Sequence, residues 1–321
     1  MNRRLFIGTL ASGVLSAPIL AKGQSTSKVY RVAMFAVSTP FSRVFVNRLQ
    51  ELGYTPNQNL LFELQGSEMQ GEHYPGIARG IASRHPDIVV AGGSEFVLDA
   101  LTAAVGSTPI VMVFIDFDPL ATGRVATLSR PGGNITGLSV LQTEIAPKRL
   151  ELLHDAVPTA NRIAVLFDAA TRGQYEVVQD AAKTLGVTLL SQELHGRLYD
   201  YEGALRIVSG ARAQAVLILS SGRFFVDRVA LMSAIQKYRL PSMATTAFAD
   251  TGALLCYSVN FTDVWVRAAE YTDRILKGQR PSEIPVEQPT KLKFIVNLKT
   301  AKALSLIIPQ SILVRADELI E

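Results

Sequence analysis

Arg31-Val32-Ala33-Met34-Phe35 and, 131 residues later, Arg162-Ile163-Ala164-Val165 with Phe167 just beyond, are one pattern written twice. A basic residue followed by an unbroken apolar run suits a strand buried on both faces, and such strands belong to parallel sheets covered by helices. The repeat extends outward from this pair. The helix stop Leu52-Gly53 recurs as Leu185-Gly186, and Pro109-Ile110-Val111-Met112 is answered 132 residues on by Leu240-Pro241-Ser242-Met243. The same order at a nearly constant displacement implies two α/β lobes of the same build. Doubly wound sheets bind ligands outside the carboxyl ends of their strands, so two such lobes put a candidate site in the cleft between them.

The 321 residues are 48% apolar, enough for two separate cores. Arg3-Arg4, an apolar stretch from Leu5 to about Ala21, and the polar Lys22-Gly23-Gln24-Ser25 make residues 1–25 read as a bacterial export signal. Arg3-Arg4-Leu5-Phe6-Ile7 fits the twin-arginine variant as well as a Sec leader; a retained membrane anchor is the alternative. Removal of the leader takes away Arg3, Arg4 and Lys22 and no acidic residue, which lowers the formal charge from +4 to +1. The mature chain thus offers no electrostatic case for a nucleic-acid partner. Beyond the leader no apolar run reaches the roughly 18 residues of a membrane span. Cys256 is the only cysteine, so no internal disulfide is available, and it reads as a small buried strand residue.

Strand-like and helix-like runs alternate. The first lobe reads as strand Tyr30–Val37, helix Phe41–Leu52, strand Leu60–Leu64, helix Tyr74–Ser83, strand Asp87–Ala91, helix Glu95–Val105 and strand Ile110–Phe114. The second reads as helix Glu144–Ala156, strand Ile163–Phe167, helix Gln174–Leu185 and strand Thr188–Gln192. Helix Tyr201–Val208, strand Ala215–Leu219, helix Phe225–Tyr238 and a short strand at Ser242-Met243 complete it. Thr171-x-x-Gln174 has the spacing of a capping box. Ile135–Val140, Leu254–Val259 and Lys291–Val296 read as three links between lobes, with an amphipathic helix, Asp263–Lys277, between the last two. This division gives lobe one residues 28–138 plus 260–289 and lobe two residues 140–257 plus 293–321.

Catalytic and metal chemistry find little footing. His73, His85, His154 and His195 are scattered without ligand spacing, and there is no Walker A run, no G-x-G-x-x-G after a first strand and no G-x-S-x-G elbow. No nucleophile has an evident base. The expectation is a protein that is not an enzyme and carries no cofactor and no metal.

The loops that follow the strands carry a different message. Lobe one offers Ser38, Thr39, Ser94, Glu95, Asp116 and Phe117, and lobe two Asp168, Thr171, Ser220, Ser221, Thr246 and Phe248, with Tyr257 and Asn260 near the second link. Hydroxyls at helix N-termini suit a carboxylate, whereas Asp116 or Glu95 suits an ammonium group. Phe41, Phe117, Phe224, Phe248 and Tyr257 could wall an apolar side chain. Thr39, Ser94, Asp118 and Thr171 are equally explained as helix caps, and Phe117 and Phe248 as core. Asp116 is hardest to explain without a partner, since a carboxylate ending an apolar strand is costly.

The C-terminal third carries a resemblance. Arg274-Ile275-Leu276-Lys277-Gly278, Ile284-Pro285-Val286-Glu287-Gln288-Pro289, Asn297-Leu298-Lys299-Thr300-Ala301-Lys302-Ala303-Leu304 and Arg315-Ala316-Asp317-Glu318 follow in order. Upstream stand Arg130-Pro131-Gly132-Gly133-Asn134-Ile135-Thr136-Gly137 and Lys148-Arg149-Leu150-Glu151-Leu152-Leu153. The chain closely resembles the ABC-transporter substrate-binding family that includes tryptophan- and tyrosine-type binding members. The resemblance implies a type I periplasmic binding protein: two Rossmann-like doubly wound lobes on a three-segment hinge, closing on a small-molecule solute. It also implies an ABC permease in the inner membrane as partner, a periplasmic location and a monomer. The solute expected is amino-acid-like or aromatic-acid-like, and the alternative role is a ligand-sensing module for a membrane signalling protein. Gly93-Ser94-Glu95, Phe117-Asp118-Pro119 and Ser220-Ser221-Gly222 depart from the family's usual loop residues, so the resemblance carries the scaffold and not the solute.

Overall fold

The computed structural model describes residues 28–36, 40–66, 73–93, 95–196 and 198–321. The export signal and the candidates Ser38, Thr39 and Ser94 lie outside the described residues. The first half alternates β1 (Tyr30–Ala36), α1 (Pro40–Glu51), β2 (Leu60–Gly66), α2 (Tyr74–Ala82), β3 (Ile88–Gly93), α3 (Glu95–Val105), β4 (Ile110–Ile115) and β5 (Ile135–Val140). The second has α4 (Ala146–Ala156), β6 (Arg162–Phe167), α5 (Arg172–Leu185), β7 (Thr188–Glu193), α6 (Tyr201–Gly210), β8 (Ala215–Ile218), α7 (Gly222–Val226), α8 (Arg228–Lys237), β9 (Ser242–Ala244) and β10 (Leu255–Val259). Then come α9 (Phe261–Leu276), β11 (Leu292–Asn297), α10 (Leu298–Ala303), α11 (Gln310–Leu313) and β12 (Glu318–Ile320).

Two sheets result, and the duplicated sequence pattern appears in their topology. The first is five-stranded with order β2-β1-β3-β4-β5, all parallel. The second runs β12-β11-β10-β9-β8-β6-β7, so β7-β6-β8-β9-β10 repeats the first order strand for strand. Only β11 is antiparallel to its neighbour β10, Leu255 facing Val296, and β12 follows it in parallel.

Side-chain alternation along the parallel strands builds a core on each face of each sheet. Val32, Met34 and Ala36 pack with Phe45 and Leu49 of α1 and with Trp265, Ala268 and Tyr271 of α9. Ala33 and Phe35 face Ile81 and Leu98 on the opposite side. In the second sheet Ile163, Val165 and Phe167 meet α4 and α5, while Ala164 and Leu166 meet α6 and α8. Although α9 lies in sequence between β10 and β11 of the second sheet, it packs on α1 and on β3 to β5.

The stretches read as links are also strands. Ile135–Val140 pairs with β4 along its whole length, and its outer edge is covered by the segment around Glu287: Glu287 N donates to Gly137 O at 2.9 Å and Ser139 N to Glu287 O at 2.9 Å. An apolar six-residue run has the same pattern whether it pairs or crosses, which is why sequence alone does not separate the two. The expected helix Phe225–Tyr238 is broken in two at Asp227, whose carboxylate accepts from Tyr201 Oη at 2.8 Å and from Arg223 Nε at 2.6 Å. The short elements β12, α10 and α11 carry no period long enough to read.

Gly137 is where β4 and β5 depend on a missing side chain. Its φ is +138°, and a Cβ there would sit 2.1 Å from the carbonyl oxygen of Met112, its register partner. Gly137→Ala is expected to lower the unfolding free energy in urea by about 2–4 kcal/mol. An unchanged urea midpoint would mean that β5 can withdraw from β4 freely.

Candidate functional site

Both lobes have the strand order 2-1-3-4-5, which reverses direction beside the first strand, and ligand crevices of open α/β sheets form there. In lobe two this point lies between β6 and β8, where the chain has placed Asp168 and Ser221. Asp168 is only 3% exposed and has no ion-pair partner among the described residues. Its carboxylate is held by hydroxyls: Ser221 Oγ donates to Oδ2, Tyr199 Oη donates to Oδ2 at 3.2 Å and Thr171 Oγ1 donates to Oδ1 at 3.2 Å. Burial, then the charge of Asp168, pushes the Tyr199 phenol up to about 12, so at neutral pH it keeps the proton it donates. Thr171 closes the turn by accepting from Asp168 N at 2.9 Å.

Ser220 is engaged through its backbone. Its N–H donates to Gln174 Oε1 at 2.8 Å and its carbonyl accepts from Gln174 Nε2 at 3.2 Å. Thr171-x-x-Gln174 is therefore not the capping box that its spacing suggests: the Gln174 side chain is 1% exposed and turned inward. The same Nε2 donates to Asp116 Oδ2 at 2.8 Å, which joins the two lobes.

Asp116 ends β4 in left-handed backbone, φ +51°, and is half-buried. Its Oδ1 accepts from Gln142 N at 2.5 Å and Thr143 N at 2.7 Å, in the segment that crosses to lobe two. Below lies Arg149, fully buried, whose Nε donates to Tyr257 O at 2.8 Å and whose Nη2 donates to Gln142 Oε1. Burial pulls its guanidinium down to about 10, opposed by the charge of Asp116, and at neutral pH it remains a cation. Tyr257 and Asn260 lie on and just after the second crossing, β10, and Thr246 bonds to it. Thr246 Oγ1 donates to Val259 O at 2.7 Å, and Asn260 Oδ1 caps α9 by accepting from Thr262 N at 3.1 Å.

Aromatic rings meet at the seam. Phe41 of lobe one stacks on Phe225 of lobe two, centroids 5.0 Å apart and planes at 15°. Trp265 lies parallel to Phe41 at 6.4 Å, and Phe261 is tilted at 6.0 Å. Trp265 reaches this position because residue 92 is glycine: a Cβ there would stand 3.0 Å from the indole and 2.9 Å from Ala36 Cβ.

The structure thus brings Asp168, Thr171, Ser220 and Ser221 together, and ties Ser220 to Asp116 through Gln174. Glu95 is exposed at the start of α3. Phe117 packs edge-on against Phe114 at 5.5 Å inside lobe one, and Phe248 is 2% exposed in the core of lobe two. Sequence reasoning passed over Gln174, Gln142, Arg149, Tyr199, Phe225 and Trp265. Trp265, the single tryptophan, was the one with a visible signal. Among the described residues no group of His, Cys, Asp and Glu could hold a metal ion, and no helix is long and apolar enough to cross a membrane.

Comparison with known proteins assigns the fold and the family. The family model for ABC transporter substrate binding proteins matches residues 42–320, and the chain belongs to that family. The tyrosine-binding protein of Clostridioides difficile (strain R20291) is 24% identical over 279 residues, 82% of this chain and 75% of its own length. A conserved domain protein from Vibrio cholerae superposes with a TM-score of 0.79 at 23% identity, over 91% of this chain and 100% of its own. An ABC domain from Streptococcus pneumoniae in complex with L-Trp gives 0.77 at 22% identity over the same shares. The architecture is that of type I periplasmic binding proteins.

Arg149 gives this arrangement a stability test. Arg149→Met leaves Tyr257 O and Gln142 Oε1 without their donor and Asp116 without a nearby countercharge. Urea unfolding of the purified variant is expected to show a loss of about 2–4 kcal/mol. A loss below about 0.5 kcal/mol would show the guanidinium to be dispensable.

Proposed function

We propose that this chain is the exported solute-binding component of an ABC import system. Its solute is a small molecule with a flat apolar group and a cationic amine, an aromatic amino acid in the simplest case. The observation that carries the solute class is Asp168: a buried carboxylate at the switch point of lobe two, supplied with hydroxyl donors but with no ion-pair partner among the described residues. An ammonium group is the partner such a carboxylate lacks, and a charge-assisted bond of this kind contributes about 1.5–3 kcal/mol. Phe225 stands four residues beyond Ser221, on the same short segment, and faces Phe41 across the seam. A planar side chain stacked among these rings adds about 0.5–1.5 kcal/mol beyond its area burial. With desolvation of the ring, such contacts suffice for the roughly −8 kcal/mol of a micromolar binder.

On this reading residues 28–138 with 260–289 and residues 140–257 with 293–321 are the two lobes that close on the solute. Ser38, Thr39 and Ser94, which follow the first and third strands in sequence and lie outside the described residues, are proposed to supply hydroxyls for the carboxylate of the amino acid. The closed, monomeric form is what the inner-membrane permease receives in the periplasm, after an N-terminal Sec or Tat leader is removed.

Thermal shift of the mature protein against amino acids, amine-free aromatic acids, aromatic amines and sugars tests the assignment. An aromatic amino acid at 100 times its dissociation constant is expected to stabilise by about 2.7 kcal/mol. Asp168→Asn, which keeps an acceptor for Ser221 and Tyr199, is expected to weaken amine-bearing solutes at least tenfold. A sugar or an amine-free acid that binds as well as the amino acid, in the wild type and in Asp168→Asn, would refute it.

A further inference from the structure

The contact between Gln174 and Asp116 serves neither lobe's own core. Gln174 is fixed within lobe two, because its amide forms a two-bond pair with the Ser220 backbone, N–H to Oε1 at 2.8 Å and Nε2 to the carbonyl at 3.2 Å. That pair uses the only acceptor of the amide and one of its two donor hydrogens. Asp116 is fixed within lobe one and the first crossing, because its Oδ1 receives both Gln142 N and Thr143 N. The remaining donor of Gln174 and the remaining oxygen of Asp116 meet at 2.8 Å. Each group is held from behind, so swinging the lobes apart has one effect here: it breaks that bond between two preorganised partners.

We infer that Gln174 and Asp116 form a latch that stabilises the closed arrangement before any solute arrives. Gln174 is a positioning residue and Asp116 its acceptor. The apparent dissociation constant of a solute is its intrinsic value divided by the fraction of protein already in the binding-competent form. A latch that raises this fraction tenfold strengthens the binding of every solute tenfold, about 1.4 kcal/mol in binding free energy, and selects among none. This separates the latch from a solute contact, whose removal changes different solutes by different factors. The effect on affinity rests on the reading that solutes bind in the seam; the effect on the unliganded protein does not.

Two variants probe it: Asp116→Asn keeps its backbone contacts, whereas Gln174→Met also loses the pair with the Ser220 backbone. Asp116→Asn retains a carbonyl oxygen for Gln142 N and Thr143 N and tolerates the positive φ, but can turn an NH2 toward the NH2 of Gln174. Gln174→Met keeps the length of the side chain and removes both its donor and its acceptor. Spin labels on Phe96→Cys in lobe one and Val229→Cys in lobe two, at positions 63% and 66% exposed, report the separation of the lobes; Cys256 is buried and stays unlabelled. In double electron–electron resonance the unliganded parent protein is expected to show mainly the short separation. Either latch variant is expected to shift most of the population to a longer one. Dissociation constants for at least two chemically different solutes are expected to rise by a common factor of about ten in each variant. Superimposable distance distributions, with or without a loss of thermal stability, would overturn the latch. Factors that differ between solutes would overturn it too and make Asp116 a solute contact. If no solute of the proposed class binds, the unliganded distances still decide the matter.

Discussion

The seam is organised by the carboxylate of Asp116, which lies where β4 ends and the first crossing begins. A half-buried anion at the end of an apolar strand is tolerable only if charge-assisted donors replace the water it has lost. The chain supplies two from the backbone of Gln142 and Thr143 and one from the side chain of Gln174, with the Arg149 cation beneath. Left-handed backbone at Asp116 turns the strand end toward these donors, at a cost that Asp and Asn bear more readily than other residues with a side chain. Arg149 extends the same logic to the second crossing by its bond to Tyr257 O. Two of the segments that join the lobes are thereby tied to one half-buried carboxylate and one buried guanidinium.

Around this junction the two sheets do what their common order dictates. The strand order reverses beside β1 and beside β6, the points at which open α/β sheets form ligand crevices. Lobe two contributes a carboxylate dressed with hydroxyls, and both lobes contribute rings. The chain belongs to the family of ABC transporter substrate binding proteins, and on the proposed reading its small-molecule solute is held at this seam. Binding of that kind needs a closed form of modest advantage, within reach of a solute's few contacts.

Much of the fold was legible because parallel strands buried on both faces are unbroken apolar runs. Val32 to Ala36, Ile88 to Ala91 and Ile163 to Phe167 could hardly be anything else. The site was less legible, for reasons that recur in particular residues. Thr171-x-x-Gln174 satisfies a local rule, and only the tertiary approach of Ser220 and Asp116 turns Gln174 away from the helix end. Phe117 and Phe248 sit beside strand ends, as wall residues would, but point into cores; one dimension does not tell the two directions apart. Tyr199 reaches Asp168 from 31 residues away, and no spacing announces that. Asp116 was read as a carboxylate in need of a partner, and among the described residues its oxygens are met by the chain's own donors.

The seam depends on whether the Asp116 carboxylate holds the first crossing in the unliganded protein. Amide hydrogen exchange of the mature chain without solute, followed residue by residue, measures this directly. Gln142 and Thr143 lie outside regular strands and helices, so their amides have no ladder partner to slow them. Exchange at both positions is expected to be as slow as at Val113 in the interior of β4. Exchange as fast as at Gly123, in the exposed turn after β4, would contradict it.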